Sequence, residues 1–550
     1  MINSTFPNGL RTKQITGGLI IQQRRRLLLA DQPGAGKTAQ ALLALELDKT
    51  FERESVTLIT TTLTACQLTW ASELSDRLAS QHNILLCDLT SPGFDKRRRD
   101  HRPKKTMPSL AERNKQLELA VIEAHDLGLP LVVLANFEML RWIHTAPPKV
   151  PALWDLTIDN IIIDESHLVL PTKDDARETV SQFWYGLLNL QFSDNPIKLA
   201  MSGTPDRGKL ENRYGTWKFL TPRQYTDFWS WCESQFILTY EDWGGVTVGK
   251  QRYPEQWAQT DQRLMLRRTK AEMLEGLPEK QWAGNGGIDL PLTATQKIEY
   301  DAYMDTLVDL EADLLERAGD QQTPHQVKLA NRAKAMKLTF GLRSQQMATC
   351  TWDFYTAQNP DGGTMTTGIP RVAGPECSNK LAWLLGFLEA RGHLTTNWDE
   401  SLGKVVIVSF FTQILKWLKA ELAAAGVGAE IISGETSGVD KQRIEARFQR
   451  GDLRIVLLSG YLGVSINLDA ADDMVFIEPN ADPDKLEQAE DRIHRASRNH
   501  ICTYWRLVSK GTSDVVVLGT ADNRYRDTRR SYDGDRGVQF ARKMLERTHN

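Results

Sequence analysis

Eleven short apolar runs constrain this chain more than any other feature. RRLLLAD, SVTLITTT, HNILLCDL, LPLVVLANF, NIIIDES and IKLAMSGTP lie in the first half; KVVIVSFF, AEIISGE, LRIVLLSG, DMVFIEP and TYWRLVS lie in the second. Each is bounded by turn or polar residues and reads as a strand buried on both faces. Amphipathic stretches separate most of them, the pattern of parallel sheets flanked by helices. The expected fold class is α/β, with a first lobe over residues 1–205 and a second over 379–520. Between them, over 206–378, the alternation stops. IEYDAYMDTLVDLEADLLERAG and HQVKLANRAKAMKLTFGLRSQQM predict helical insertions there, and TAQNPDGGTMTTGIPRVAGPECS an irregular linker. Residues 521–550 read as an arginine-bearing basic tail.

Composition narrows the class. No apolar run approaches the ~18 residues of a membrane span, and MINSTFPNGLRTKQ lacks the basic-then-apolar pattern of a secretory signal. An intracellular protein is expected, cytoplasmic in a bacterial cell or phage-infected host, nuclear if the source is eukaryotic. The six cysteines form no C-x-x-C pair, which suggests neither a zinc site nor a disulfide framework. A net charge of −3 gives no global attraction to nucleic acid, so such binding needs a local basic surface. DKRRRDHRPKK, Asp95 to Lys105, is the candidate.

The stretch LLLADQPGAGKTAQALLAL, Leu27 to Leu45, places a Gly-rich turn between an apolar run and a helix-forming segment. Gly34 and Gly36 let the loop turn its N–H groups inward. Lys37 reaches β- and γ-phosphates, and Thr38 can hold Mg²⁺. The helix that follows aims its positive end at the same anion. IIIDESH then supplies the carboxylates such a cradle needs, Asp164 to orient Mg²⁺ and Glu165 to position and deprotonate water. In QAEDRIHRAS, Arg492 and Arg495 stand three apart on an expected helix and read as arginine fingers, which stabilise charge on the transferring γ-phosphoryl group.

Taken together these residues resemble the Swi/Snf-type ATPases of helicase superfamily two, collinearly from about Leu10 to about Val517. LRTKQ is similar to the family's L-R-x-x-Q, and ADQPGAGKT replaces its A-D-E-M-G-L-G-K-T, so Asp31 has a counterpart. TLITTTLTACQLTWASEL resembles motif Ia with Trp70 and Glu73, LVVLANFEML motif Ib, DESH a DEAH box, and MSGTP motif III. LMLRRTKAEMLEGLPEK, Leu264 to Lys280, is the most diagnostic stretch. KVVIVSFFTQIL resembles motif IV, SGYLGVSINL motif V, and QAEDRIHR motif VI. Three sites depart from the pattern: Asp206-Arg207 stands for Gln-Asn, Ala496-Ser497-Arg498 for I-G-Q, and motif V has Ser465 for Gly and is one residue short near Tyr461.

The resemblance implies two RecA-like lobes that hydrolyse Mg-ATP in the cleft between them while moving along double-stranded DNA, forked or branched DNA included. It implies that Gln14 reads adenine, with Arg11, Pro33, Gly34, Ala35, Gly36, Lys37, Thr38 and Gly463 around the nucleotide. Gln488 joins Lys37, Glu165, Arg492 and Arg495 in catalysis. His167, Ser202 and Thr204 couple the ATP site to the rest. DNA contacts are expected from Ser459 and from the basic run that includes Arg97, Arg98, Arg99, Lys104 and Lys105. The alternatives are a strand-separating or fork-annealing helicase, and an ATP-gated clamp that recruits a protein partner. Trp217, Trp229, Trp231, Trp243 and Trp257, at irregular spacing, read as core before base-stacking groups.

Overall fold

The computed structural model describes residues 9–79, 81–90, 108–140, 152–170, 182–206, 209–240, 246–253, 257, 262–274, 277–278, 280–284, 286–318, 326, 341–358, 364–371, 374–395, 398–461, 466–495 and 500–522. The chain forms two compact units, dividing between Leu277 and Pro278.

In the first unit the strands are β1 (Arg26–Leu29), β2 (Val56–Thr61), β3 (Leu85–Asp88), β4 (Leu131–Asn136), β5 (Thr157–Asp164), β6 (Gln191–Met201), β7 (Phe236–Tyr240), β8 (Val246–Gln251) and β9 (Met265–Leu266). Seven of them form one parallel sheet in the order β3-β4-β2-β5-β6-β1-β9, and β7 and β8 pair separately as an antiparallel hairpin. Parallel neighbours need crossovers, and the polar stretches between strands supply them as helices. Ser109 and Glu112 form a capping box at the start of Leu110–Leu127, which Gly128 ends with φ 64°. Alternate residues of one strand serve two cores. Leu28, Val133, Ile161 and Ile163 pack on one face; Leu27, Leu29, Val132 and Ile162 pack on the other. Truncating one of these to Ala costs about 2–5 kcal/mol.

The second unit carries β10 (Gln281–Trp282), β11 (Ile288–Leu290), β12 (Trp352–Gln358), β13 (Thr364–Pro370), β14 (Val405–Ser409), β15 (Ala429–Ile432), β16 (Ile455–Ser459), β17 (Asp473–Phe476) and β18 (Thr503–Ser509). Its sheet runs β10-β18-β17-β14-β16-β15, with β11 also on β18, and every pairing in it is parallel. All eleven apolar runs are strands of these two sheets, so the α/β class with two parallel-sheet lobes holds. Each unit also contains a fully buried ion pair. Arg213 grips Asp206 through Nε at 2.9 Å and Nη2 at 2.7 Å, and Lys380 Nζ lies 2.5 Å from Asp514 Oδ2.

The middle of the chain is less helical than its periodicity predicts. The long helix Ala294–Ala318 is present, but β7 to β13 also fall within 206–378. TAQNPDGGTMTTGIPRVAGPECS contributes strand residues to the antiparallel β12–β13 pair, Trp352 facing Pro370 and Gln358 facing Thr364. Runs of Thr and aromatic residues favour a pleated surface, and a two-stranded hairpin needs no long apolar run. Trp217 and Trp257 are buried in the first unit, Trp229 and Trp231 half-buried, and Trp243 lies outside the described residues.

Candidate nucleotide site and its supporting segment

Leu266, Leu29, Met201 and Asp164 face one another in register across β9, β1, β6 and β5. The LRRTK segment, the phosphate loop, motif III and the DESH residues therefore sit at the same C-terminal edge of the sheet, where parallel α/β sheets bind ligands. Gly34 and Gly36 both adopt φ 79°, in the left-handed region that favours glycine, and the helix Lys37–Leu47 starts at once. Lys37 Nζ donates to the loop's own Asp31 carbonyl at 3.0 Å, and Thr38 follows half-buried. Gln14 is buried beneath the loop: its Nε2 donates to the Ala35 carbonyl at 3.3 Å, and its Oε1 accepts from the Arg11 N–H at 3.0 Å. Gly203 leaves room for the ring of Pro33, whose Cγ would stand 2.6 Å from a β-carbon there.

Asp164 ends β5 as a half-buried carboxylate. Trp70 Nε1 donates to its Oδ2 at 3.0 Å and the Glu165 N–H to its Oδ1 at 3.0 Å. Burial, then the adjacent Glu165 carboxylate, push its pKa up to about 6, against the lowering pull of Trp70 and Lys37. Glu165 itself has φ 51°, a left-handed conformation uncommon for a residue with a side chain, and remains 36% exposed. His167 Nδ1 meets Ser202 Oγ at 2.9 Å and Glu165 Oε2 at 3.4 Å, while Ser202 Oγ also accepts from the Thr204 N–H at 3.1 Å. One side-chain chain thus runs from Glu165 through His167 to motif III. Two neighbouring carboxylates, one half-buried with its pKa raised, are a donor set that suits a divalent cation.

LMLRRTKAEMLEGLPEK, which marks the family resemblance, is also the segment that supports the phosphate loop. Arg268 binds the buried Asp31 carboxylate through Nε at 3.1 Å and Nη2 at 2.5 Å, and the same Nη2 donates to Gln40 Oε1 at 2.6 Å. Gln40 Nε2 in turn donates to Asp31 Oδ2 at 3.0 Å. Arg267 Nη1 donates to the carbonyls of Ala30 at 2.6 Å and Gly203 at 2.7 Å, tying the phosphate loop to motif III. Backbone pairing continues past β9, with Ala30 N to Leu266 O at 2.8 Å and Gln32 N to Arg268 O at 3.1 Å. Met273 and Leu274 then pack on Ala35. Asp31, where a general phosphate-loop pattern has Gly, is the anchor of this brace. The available signal was charge: one acidic loop residue facing two consecutive arginines.

In the second unit the expected helix stops early. The helix Pro483–Glu490 carries Gln488, but Arg492 and Arg495 lie in the turn beyond it, so they do not share a helix face. The Arg492, Ile493 and His494 N–H groups bond to Ala489 and Glu490 carbonyls, closing the chain tightly. Arg492 O accepts from Leu468 N at 2.9 Å, and Arg495 Nη2 donates to Ile466 O at 2.6 Å, so both residues hold motif V to motif VI. Burial lowers the Arg495 pKa. His494 Nε2 meets the Pro278 carbonyl at 2.8 Å, and Lys280 Nζ reaches Glu490 at 2.6 Å and Asp491 at 3.5 Å. Burial pulls the Lys280 pKa down, yet Glu490 and Asp491 keep it well above the ordinary lysine value. Ser459, expected at DNA, is buried at the end of β16, whereas Tyr461 beyond it is 54% exposed. Arg97, Arg98, Arg99, Lys104, Lys105 and Gly463 lie outside the described residues.

A parallel sheet with a phosphate loop after one strand and a carboxylate pair after another defines a nucleotide-binding α/β protein. The particular family follows from comparison. Residues 19–347 match the SNF2-related domain and residues 381–497 the Helicase conserved C-terminal domain. The chain belongs to the SNF2-related family, helicase-like ATPases of superfamily two. Among its relatives, the Chromodomain-helicase-DNA-binding protein 1-like of Danio rerio is 24% identical over 67% of this chain and 31% of its own length. The SWI/SNF-related matrix-associated actin-dependent regulator of chromatin subfamily A-like protein 1 homolog of Caenorhabditis elegans is 23% identical over 90% of this chain and 58% of its own length. The chain spans less than two thirds of either relative. The Sulfolobus solfataricus SWI2/SNF2 ATPase core in complex with dsDNA aligns over 98% of this chain and 97% of that one, at 17% identity and a TM-score of 0.34. Among the described residues no helix is long and apolar enough to cross a membrane.

Proposed function

We infer that the chain is a double-stranded DNA-dependent ATPase that couples ATP hydrolysis to movement along the duplex. One observation carries the chemistry: the phosphate loop, Asp164 and Glu165, and Ser202 and Thr204 all leave one sheet at one rung. In this reading Gln14 and Arg11 hold the base side, while Pro33 to Thr38 hold the phosphates. Glu165 takes a proton from water as the water oxygen bonds to the γ-phosphorus and the bond to the β–γ bridging oxygen breaks, leaving ADP and phosphate. Thr38 and Asp164 would hold Mg²⁺, which when bound neutralises charge on the β- and γ-phosphate oxygens. Arg492 and Arg495 act on the developing phosphoryl charge, with Gln488 and Gly463 nearby in the same cycle. Ser459 and the basic residues Arg97, Arg98, Arg99, Lys104 and Lys105 act on DNA phosphates, and such contacts carry little sequence preference.

The test is steady-state ATP hydrolysis with duplex DNA, single-stranded RNA and no nucleic acid. Duplex DNA is expected to stimulate strongly. Glu165→Gln should abolish turnover while ATP binding stays. Equal stimulation by RNA overturns the substrate, and loss of ATP binding in the variant overturns the role of Glu165.

A further inference from the structure

Asp164, read as the magnesium carboxylate, is held in place by a tryptophan from another element. β2 lies beside β5 with Thr60 opposite Ile163, so the helical segment that leaves β2 passes the end of β5 where Asp164 stands. Thr62 caps that segment, its side chain accepting from the Ala65 N–H. Over Cys66–Trp70 the turn widens to the π type, with the Ala71 N–H bonded to the Cys66 carbonyl. Turns of this kind are rare and recur at functional sites. Here the turn ends on Trp70, fully buried in one core with Leu74, Leu78, Val132, Leu134 and Ile162. An indole N–H only donates, and Trp70 Nε1 donates to Asp164 Oδ2 at 3.0 Å while the Glu165 N–H donates to Oδ1 at 3.0 Å. The carboxylate plane of an aspartate is otherwise loosely held, because its last torsion has a broad, two-fold profile. One donor on each oxygen, one of them on a ring locked in the core, fixes that plane and leaves each oxygen free to accept once more. A phenylalanine would fill the same core; the indole N–H serves the carboxylate.

We propose that Trp70 is a positioning residue for the metal: its indole N–H, held by the core, fixes the orientation in which the Asp164 carboxylate receives Mg²⁺. This rests on the nucleotide reading above. Trp70 acts through Asp164 alone, and hydrogen bonds of this kind to a metal's ligand are worth about 10–100-fold in metal affinity. The bond is also charge-assisted, which makes it stronger than one between neutral groups.

The experiment titrates magnesium into the full chain with a fluorescent, slowly hydrolysed ATP, alongside thermal unfolding without metal or nucleotide. Wild type is compared with Trp70→Phe, which fills the core without the donor, Trp70→His, which keeps a ring N–H, Leu74→Ala, which removes packing from the same core, and Asp164→Asn. The proposal expects Trp70→Phe to need about tenfold or more magnesium for half-maximal binding and to regain wild-type binding at saturating magnesium. Trp70→His should recover part of the loss, and Leu74→Ala should lower the unfolding temperature while keeping the wild-type magnesium requirement. In isotope-labelled wild type, the Trp70 indole N–H resonance, assigned by its absence from Trp70→His, should shift when magnesium joins the bound nucleotide; this arm holds even where Trp70→Phe does not fold. An indole resonance that does not move overturns the role. If Trp70→Phe keeps the wild-type magnesium requirement while Asp164→Asn loses the response, Trp70 has no such role and the metal reading stands. The role also falls if Leu74→Ala raises the requirement as much as Trp70→Phe does, since lost packing alone then explains both. If wild type does not respond to magnesium, the metal reading and the Trp70 role fall together, and if it binds no nucleotide the nucleotide reading falls with them.

Discussion

The two ends of the Leu264–Lys280 stretch make the most instructive comparison in this molecule. At its start, Arg267 and Arg268 hold the phosphate loop of the first unit through two backbone carbonyls, a buried carboxylate and Gln40. At its end, Pro278 and Lys280 hold the arginine-bearing turn of the second unit through one carbonyl and one ammonium. Both ends are basic, yet the means differ. Planar guanidinium groups fix a loop in several directions at once, whereas a lysine sets a point charge at the end of a helix, where the dipole also favours it. The first end therefore dictates loop shape. The second stabilises a terminus and leaves the neighbouring arginines to motif V.

The largest expected effect falls on those arginines. Arg492→Ala and Arg495→Ala should each slow hydrolysis by about 10³–10⁵-fold if both act as fingers. Arg495→Ala should also lower the stability of the second unit, by about 1 kcal/mol, because it leaves the Ile466 carbonyl without that donor. Single-turnover hydrolysis beside chemical denaturation checks both halves; a variant that hydrolyses at the wild-type rate is no finger.

Breaking the two braces comes next. Arg268→Ala leaves Asp31 buried without its guanidinium partner, which should cost about 3–5 kcal/mol and weaken ATP binding. Lys280→Ala should cost about 2 kcal/mol, since Glu490 and Asp491 sit nearer to solvent. It should slow hydrolysis with ATP affinity preserved. Equal losses of affinity in the two variants would erase the distinction between the ends.

The smallest effect is on pH. Glu478 is buried beyond β17, accepting from Ser409 Oγ at 3.0 Å and the Phe410 N–H at 3.1 Å. Burial pushes its pKa up to about 7, with Lys380 opposing and Asp514 adding to the rise. The folded chain therefore keeps a proton that the unfolded chain releases above about 4.5, and stability is lost as pH rises from there to about 7. Denaturation at pH 5.5 and 7.5, both in the assay buffers of choice, should show a smaller decline in Glu478→Gln than in wild type.

What could be read in the sequence divides along the same physical line. Eleven of the fourteen strands in the two parallel sheets were legible because burial on both faces writes itself as a continuous apolar run, as in LPLVVLANF and KVVIVSFF, whereas the short strands β9, β10 and β11 carry no such run. The phosphate loop and the DESH carboxylates were legible because their chemistry is local. The brace was not: Asp31 and Arg268 lie far apart in the chain, and nothing local pairs them. The helical reading of QAEDRIHR failed because the hydrogen-bonded turn after Glu490 tightens before Arg492, a change of backbone that residue spacing does not report. The β12–β13 hairpin was hidden by the Gly, Pro and Thr content of strands that never needed an apolar run.

Displacement of a triplex-forming strand reads out movement along duplex DNA driven by this nucleotide site. Wild type with ATP and magnesium should strip the third strand from an intact duplex, and Glu165→Gln should bind the same DNA without stripping it. A forked duplex run in parallel should remain paired. DNA-stimulated hydrolysis with no displacement of the third strand would contradict movement and leave a clamp, and separation of the forked strands would make the protein an unwinding helicase instead.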